Sequence, residues 1–203
     1  MVFGFFTWKQ LRLWRAGGRE QRHVLALAER SSFEASLGYY MKGNFSYMHG
    51  RPEAAMRDFR QALQLNPNLA EAYNSLGGIS AARGKFEEAI GYYHEALRVN
   101  PHYAEAHHGL GLALAKSGRL EEAMERFRRA LQINPDYPGA HNDLGILLYQ
   151  RGNLEEAIGH YREALRIQPD FAAAQRGLNA ALARLGRREA AMRGDQKALR
   201  TRK

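Results

Sequence analysis

Residues 104–135 read AEAHHGLGLALAKSGRLEEAMERFRRALQINP, and a version of this stretch occurs four times in the 203-residue chain. Shifting the sequence against itself by 34 residues aligns small, aromatic and proline residues in fixed columns. The clearest columns are Gly50, Gly84, Gly118 and Gly152; Phe59, Tyr93, Phe127 and Tyr161; and Pro67, Pro101, Pro135 and Pro169. A constant period of this length is typical of helix–turn–helix repeats.

The chemistry of one repeat predicts two helices that cannot be stable alone. Leu110 and Leu114 lie four residues apart and therefore share one helical face. Gly118 ends this helix, because glycine accepts the left-handed conformation that a helix end requires. A second apolar stripe follows and ends at Asn134-Pro135, since the residue before proline avoids the helical region. Each helix has to bury its stripe against a neighbour, so the repeats are expected to stack.

The Leu-Gly pairs on the first helices, the aromatic column and the closing prolines resemble the tetratricopeptide repeat. The resemblance is strong over residues 36–169 and weak beyond them to Leu199. It implies an all-α, right-handed α-solenoid of stacked antiparallel helix pairs, with at least ten helices and turns at the four glycines of the turn column. Three regions are predicted: 1–35, an amphipathic helix with a degenerate capping repeat; 36–169, four tandem repeats; and 170–203, a degenerate fifth repeat or capping helices with a basic tail.

The resemblance also implies a function in binding proteins or peptides, because the first helices of this family line a concave groove. The candidate groove residues are Tyr40, Asn44, Tyr47, Glu71, Asn74, His108, Asn142 and Tyr149. Asn74 and Asn142 carry amides that both donate and accept hydrogen bonds, as an extended peptide backbone requires. The tyrosines offer flat apolar contact with a polar tip. The alternative for each position is an ordinary solvated helix residue.

One known binding mode of the family is disfavoured. Its carboxylate clamp for acidic C-terminal tails needs lysine, asparagine and arginine on three successive first helices. The matching positions of this chain hold Tyr40, Asn44, Ser75, Glu105 and Gly109, of which only Asn44 agrees. We therefore predict a non-enzymatic scaffold or adaptor whose groove binds some other partner segment.

The N-terminal stretch departs from the repeat pattern and supports two interpretations. On a helical wheel its large apolar residues separate from its cations; the residues of this candidate docking helix are Phe3, Phe6, Trp8, Leu11, Trp14, Lys9, Arg12 and Arg15. One interpretation is a leading cap of the array that also docks a partner. The other is an interfacial helix that seats the protein on an anionic membrane surface or a membrane protein complex. The apolar part is too short to span a bilayer and lacks a signal-peptide cleavage site, so a cytoplasmic or membrane-peripheral protein is expected.

Other classes of function find little support in the sequence. The chain has no cysteine, no glycine-rich phosphate loop and no nucleophile motif, so neither catalysis nor a cofactor is predicted. His107 and His141 share a column with Tyr39 and Tyr73 and are expected to be core residues, not metal ligands. The net charge of +9 is concentrated at the two ends of the chain. Nucleic-acid binding through these ends is the weakest alternative, because aromatic residues do not alternate with the basic residues of the C-terminal tail.

Overall fold

The computed structural model describes the backbone of residues 19–201 and the side chains of residues 30–190. Every regular element in this part of the chain is an α-helix. The nine helices are α1 (Arg19–Met48), α2 (Pro52–Leu65), α3 (Ala70–Ala82), α4 (Phe86–Val99), α5 (Ala104–Lys116), α6 (Leu120–Ile133), α7 (Pro138–Arg151), α8 (Leu154–Ile167) and α9 (Ala172–Thr201). The predicted all-α helical-repeat solenoid is thereby confirmed. The count of at least ten helices for the whole chain stays a prediction, because residues 1–18 lie outside the described part.

The predicted turns at Gly50, Gly84, Gly118 and Gly152 are confirmed, since all four glycines have positive φ angles between 68° and 85°. After α5, the Arg119 N–H donates to the Leu114 carbonyl at 2.9 Å and the Gly118 N–H donates to the Ala115 carbonyl at 3.2 Å. This pair of bonds is the Schellman motif, which satisfies carbonyls that the helix end would otherwise leave open.

Two helices are longer than the repeat pattern requires. Helix α1 runs through Phe33, which occupies the position of the closing prolines in the other repeats, so no residue there interrupts the helix. Helix α9 runs through Gly186, where a fifth repeat would place its turn. Glycine permits a left-handed turn but does not force one, and Asp195 stands in the aromatic column, so the sequence after Gly186 has no ring to bury by folding back.

The chain divides into two compact units, one ending at Leu76 and one beginning at Gly77. In the first unit, α1 packs against α2 around Phe59, which is 1% exposed. In the second unit, α5 packs on α6, α7 on α8, and α9 on α8, with α4 against α5 and α6 against α7. The short connections between paired helices make these neighbours antiparallel.

The aromatic column fills the core of the second unit and leaves no room for side chains on the facing glycines. A Cβ atom on Gly77 would lie 2.8 Å from the Tyr93 ring, and one on Gly109 would lie 2.5 Å from the same ring. Tyr161 likewise lies between Gly145, in the first helix of its own repeat, and Gly177, in the helix that follows. The rings alternate along the chain: the position that follows each tyrosine by 16 residues is glycine, whereas it is Ser75 after Phe59 and Asp143 after Phe127.

Candidate functional site

A polar network joins two successive first helices of the second unit. His108 lies on α5 and Asp143 on α7, and the His108 Nε2 atom is 2.7 Å from the Asp143 Oδ2 atom. The Tyr137 hydroxyl is 3.0 Å from His108 Nδ1. These contacts fit a histidine whose Nε2–H donates to the carboxylate and whose Nδ1 accepts from the tyrosine. The network therefore fixes one tautomer and holds α5 and α7 in register.

The surroundings of the network are partly apolar. The His108 ring packs 5.5 Å from the Phe127 ring and 4.8 Å from the Tyr137 ring, measured between centroids. Burial raises the pKa of Tyr137, and the nearby carboxylates of Glu105 and Asp143 act in the same direction. The tyrosine therefore stays protonated and can act as the donor to His108.

Asn142 belongs to the same cluster. Its Nδ2 atom donates to the Asp143 Oδ1 atom at 3.0 Å. Its own Oδ1 atom is buried and has no hydrogen-bond partner among the described residues. The residue is only 5% exposed, so the amide predicted to hold a peptide lies beneath the surface. An unsatisfied buried acceptor costs free energy unless something later bonds to it.

Two exposed apolar side chains lie one helical turn beyond this network. Leu112 follows His108 by four residues on α5, and Ile146 follows Asp143 by three on α7, so each shares the face of its network residue. The two occupy equivalent positions of consecutive repeats. Leu112 is 39% exposed and Ile146 38%, although the other leucines of these two helices are buried. These two side chains are therefore exposed apolar surface beside the polar network.

Tyr149, another predicted groove residue, contacts the last helix. The Arg184 guanidinium lies 5.1 Å from the centroid of the Tyr149 ring, and Arg184 Nη1 donates to the Tyr149 carbonyl at 2.9 Å. This is a cation–π contact combined with a hydrogen bond. Helix α9 thus borders the surface formed by α5 and α7.

The remaining predicted groove residues belong to the unit that ends at Leu76. Tyr40 is half-buried against Phe59, with ring centroids 5.6 Å apart, and the Asn74 Oδ1 atom is buried without a partner among the described residues, as is that of Asn142. Asn44 is half-buried, while Tyr47 and Glu71 are exposed. The predicted docking-helix residues lie outside the described part of the chain; they are Phe3, Phe6, Trp8, Lys9, Leu11, Arg12, Trp14 and Arg15.

Sequence reasoning missed Asp143 and Tyr137. The column of Asp143 holds Ser75 and Gly109 in the preceding repeats, so the repeat pattern gives it no special weight. Its signal is the appearance of an acid where the neighbouring repeats have small residues. Tyr137 precedes α7 in a connection, where an aromatic residue is easily taken for a surface side chain.

Each of the two histidines predicted to be core residues contacts the proline carbonyl of the loop that precedes its own helix. His107 is 5% exposed and its Nε2 atom lies 3.1 Å from the Pro101 carbonyl, which confirms its burial. His141 is half-buried and makes the equivalent contact to Pro135 at 3.0 Å. Its Nδ1 atom lies 2.9 Å from Nδ1 of His160, whose pKa is lowered by burial and then by His141. Within the described residues no three potential metal ligands converge.

None of the described helices combines the length and the apolarity needed to cross a membrane.

Comparison with protein families gives one consistent result. Models of the tetratricopeptide repeat match residues 36–69, 81–138 and 127–159, and a model described as TPR repeat matches residues 145–186. Together these matches cover most of the chain between residues 36 and 186. The comparison with curated proteins found no match.

Several solved structures have a similar fold. The chain is similar to the MamA protein, with 26% identity and a TM-score of 0.67 over 82% of this chain and 91% of that one. It is similar to YrrB, described as a TPR protein with an unusual peptide-binding site, with 23% identity and a TM-score of 0.65 over 82% and 84%. It is also similar to pilF of Pseudomonas aeruginosa, with 23% identity and a TM-score of 0.71 over 77% and 72%.

Proposed function

Because this chain belongs to the tetratricopeptide repeat family, a family of protein–protein interaction scaffolds, we propose that it binds a partner segment along the first helices of its second unit. The proposed surface is named here the first-helix face and consists of His108, Leu112, Asn142, Ile146 and Tyr149. The protein acts as an adaptor and carries out no chemistry on the segment that it binds.

The observation that carries the proposal is the exposure of Leu112 and Ile146 at equivalent positions of two consecutive repeats. Each leaves more than a third of its surface in water, on helices whose other leucines are buried. Covering an apolar side chain gains about 25 cal/mol for each Å² removed from water. An apolar residue of the partner that lies across both side chains would therefore serve as the anchor of the interaction.

The polar network beside Leu112 and Ile146 fixes the orientation of the side chains that would meet the partner. The contact of His108 with Asp143 at 2.7 Å fixes the surface before the partner arrives, which reduces the entropy lost on binding. The unpaired Oδ1 atom of Asn142 offers an acceptor for a backbone N–H of the segment. Since Asn142 is almost fully buried, this contact needs a rotation of its side chain as the segment binds.

The first unit carries a related set of side chains on α1 and α3. Tyr40, Asn44, Tyr47, Glu71 and Asn74 are proposed to bind a segment by the same chemistry, with the tyrosines as apolar contacts and the amides as backbone partners. The unpaired Oδ1 atom of Asn74 repeats the feature seen at Asn142.

Site-specific photocrosslinking tests the first-helix face. A photoreactive phenylalanine analogue at position 112 or 146 should crosslink the partner in extracts of the native cells, and the product should disappear in a Leu112→Glu or Ile146→Glu background. The matched control carries the same analogue at Arg162, an exposed residue on α8. Equal crosslinking from positions 146 and 162, or a product unaffected by the glutamate, would refute the assignment of this face.

A second candidate function concerns the N-terminal segment, and it follows from its separation of aromatic residues and cations. We propose as the alternative that a cytoplasmic protein is held at an anionic membrane surface, or on a membrane protein complex, by Phe3, Phe6, Trp8, Leu11 and Trp14. Lys9, Arg12 and Arg15 would face anionic headgroups, each contributing about 1 kcal/mol near the surface.

The only tryptophans of the chain, Trp8 and Trp14, report on this segment. Their emission should shift to the blue when vesicles of phosphatidylserine and phosphatidylcholine are added, and salt should weaken the effect. A variant with Phe6→Asp and Trp14→Asp should lose vesicle binding while its repeats stay folded. Emission that is already blue in buffer and does not respond to lipid would contradict the membrane alternative and favour a cap or a protein contact.

A further inference from the structure

A basic cleft is lined mainly by residues of two second helices, and none of its lining residues belongs to the first-helix face. It has a volume of about 610 Å³ and is lined by second helices α4 and α6, by the loop at Pro101 and by His107 of α5. Four of its lining residues are arginines: Arg98 from α4 and Arg126, Arg128 and Arg129 from α6. Glu125 is the only acid among the lining residues. The cleft therefore concentrates positive charge in a concave surface, where the field is stronger than on a convex one.

The positive charge contributes to lowering the pKa of two histidines that line the cleft. The pKa of His94 is lowered by burial first, and then by the positive charges of Arg126 and Arg119. The pKa of His107 is also lowered, chiefly by burial; the hydrogen bond to the Pro101 carbonyl acts against this, and the charges of Arg126 and Arg129 act with it. Both histidines are therefore neutral at neutral pH, and an anion placed among the arginines would favour their protonation.

One histidine that lines the cleft has a buried nitrogen without a hydrogen-bond partner among the described residues. His107 donates its Nε2–H to the Pro101 carbonyl, while its Nδ1 atom is buried and has no partner among the described residues. The residue is 5% exposed and lines the cleft. If His107 becomes protonated, Nδ1 turns from an unsatisfied acceptor into a charged donor; because this atom is buried, a ligand carboxylate would reach it only after the ring moves.

Part of the basic surface is already held in position. Arg98 Nε donates to Glu95 at 2.8 Å, and Arg129 Nη1 donates to Gln132 at 3.0 Å. The ion pair with Glu95 offsets the charge of Arg98, whereas the uncharged Gln132 orients Arg129 and leaves its charge uncompensated. Arginine is suited to this role because its planar group forms paired hydrogen bonds with carboxylates.

We propose that this cleft binds a short acidic segment of a partner protein, rich in aspartate and glutamate, through Arg98, Arg126, Arg128 and Arg129. A cleft of about 610 Å³ is much larger than one inorganic anion, and its lining includes the apolar side chains of Leu97 and Pro101, which suit contact with a peptide. Its aromatic lining consists of the two histidines, so it lacks the larger rings on which single-stranded bases stack. The site differs from the carboxylate clamp of the family in lying on the second helices.

Fluorescence anisotropy with the full chain and a fluorescein-labelled octaglutamate peptide tests the proposal at near-physiological salt. Arg126→Gln combined with Arg129→Gln removes two charges from the cleft and keeps most of the side-chain packing. We expect it to weaken binding about 100-fold, or about tenfold for each arginine. The matched control is Arg57→Gln combined with Arg162→Gln, which removes the same net charge from second helices outside the cleft and should change binding less than about threefold.

Further measurements decide the interpretation. Circular dichroism and thermal unfolding should show both double variants folded like the parent. The imidazole resonances of His94 and His107 should titrate at higher pH when the peptide is bound. Equal loss of binding in the two double variants, no peptide binding at all, displacement of the peptide by millimolar inorganic phosphate, or tighter binding of a labelled oligonucleotide that depends on Arg126 and Arg129 would each overturn the assignment to an acidic peptide.

Discussion

The contact between Gly111 and Phe127 provides a sharp test of how the repeats are packed. A Cβ atom on Gly111 would lie 2.5 Å from the Phe127 Cε1 atom and 2.7 Å from Cδ1. Favourable carbon–carbon contact begins near 3.5 Å, so Gly111→Ala requires the ring to move by about 1 Å. Phe127 is 1% exposed and its ring centroid lies 5.5 Å from that of His108, which leaves it little space to move.

The expected magnitude follows from two opposing effects. Overpacking a core typically costs about 1–3 kcal/mol. Replacing a helix-interior glycine with alanine gains about 0.5–1 kcal/mol from reduced chain entropy. Gly111→Ala should therefore lower the free energy of unfolding by roughly 0–2.5 kcal/mol. Gly91 on α4 is the matched control, because its Cβ would meet no atom within 4 Å, and Gly91→Ala should raise stability by about 0.5–1 kcal/mol.

Urea unfolding followed by circular dichroism measures both variants, and hydrogen exchange over residues 104–133 locates the damage if the repeats unfold in parts. Adding Phe127→Leu to Gly111→Ala makes room for the new methyl group, so the double variant should be more stable than the sum of its single changes predicts. The packing argument fails if Gly111→Ala stabilises the protein as much as Gly91→Ala does, or if the two changes at positions 111 and 127 are additive.

Three other outcomes are expected. Phe127→Ala should cost about 3–5 kcal/mol and reduce hydrogen-exchange protection in α5 and α6, and unchanged protection there would contradict its place in the core. Gly118→Ala should cost about 1–2 kcal/mol although the site is open, because φ is 85°; a thermal midpoint equal to that of the parent would exclude backbone strain. Burial lowers the pKa of His107 and His160 below 6.5, so the unfolded chain binds protons more strongly than the folded protein does. The contribution of these two histidines to the free energy of unfolding should therefore be fully present above about pH 6.5 and decrease as the pH is lowered. His160→Gln should make the midpoint of thermal unfolding less dependent on pH.

The repeated helices and turns were predictable because the determining chemistry is local. Leu110 and Leu114 fix a buried face by their spacing, and Gly118 places a left-handed residue where the chain reverses. The continuous helices α1 and α9 were harder to foresee. They depend on residues that the pattern leads one to expect and that are missing, namely a proline at position 33 and a ring at position 195.

The candidate binding surfaces were only partly predictable. His108 and Asn142 were identified because they vary within a fixed frame, but their link through Asp143 depends on side-chain directions on two helices. The cleft was not foreseen, because arginines such as Arg126 and Arg128 on a second helix resemble an ordinary solvated face. Their convergence depends on α4 and α6 lining the same cleft, which no local pattern encodes.

Because tyrosine and phenylalanine alternate in the aromatic column, the number of repeats that can be removed without disturbing the packing is restricted. Tyr93 requires a glycine in the next first helix, because a Cβ at position 109 would lie 2.5 Å from its ring. Deleting residues 104–137, one repeat, would place Asp143 where Gly109 now lies, 16 residues after Tyr93, and force its side chain against that ring. Deleting residues 104–171, two repeats, would bring Gly177 there instead, where it already faces the equivalent ring of Tyr161. Shortened proteins are thus expected to remain well packed when repeats are removed in pairs, and to lose stability when one is removed alone.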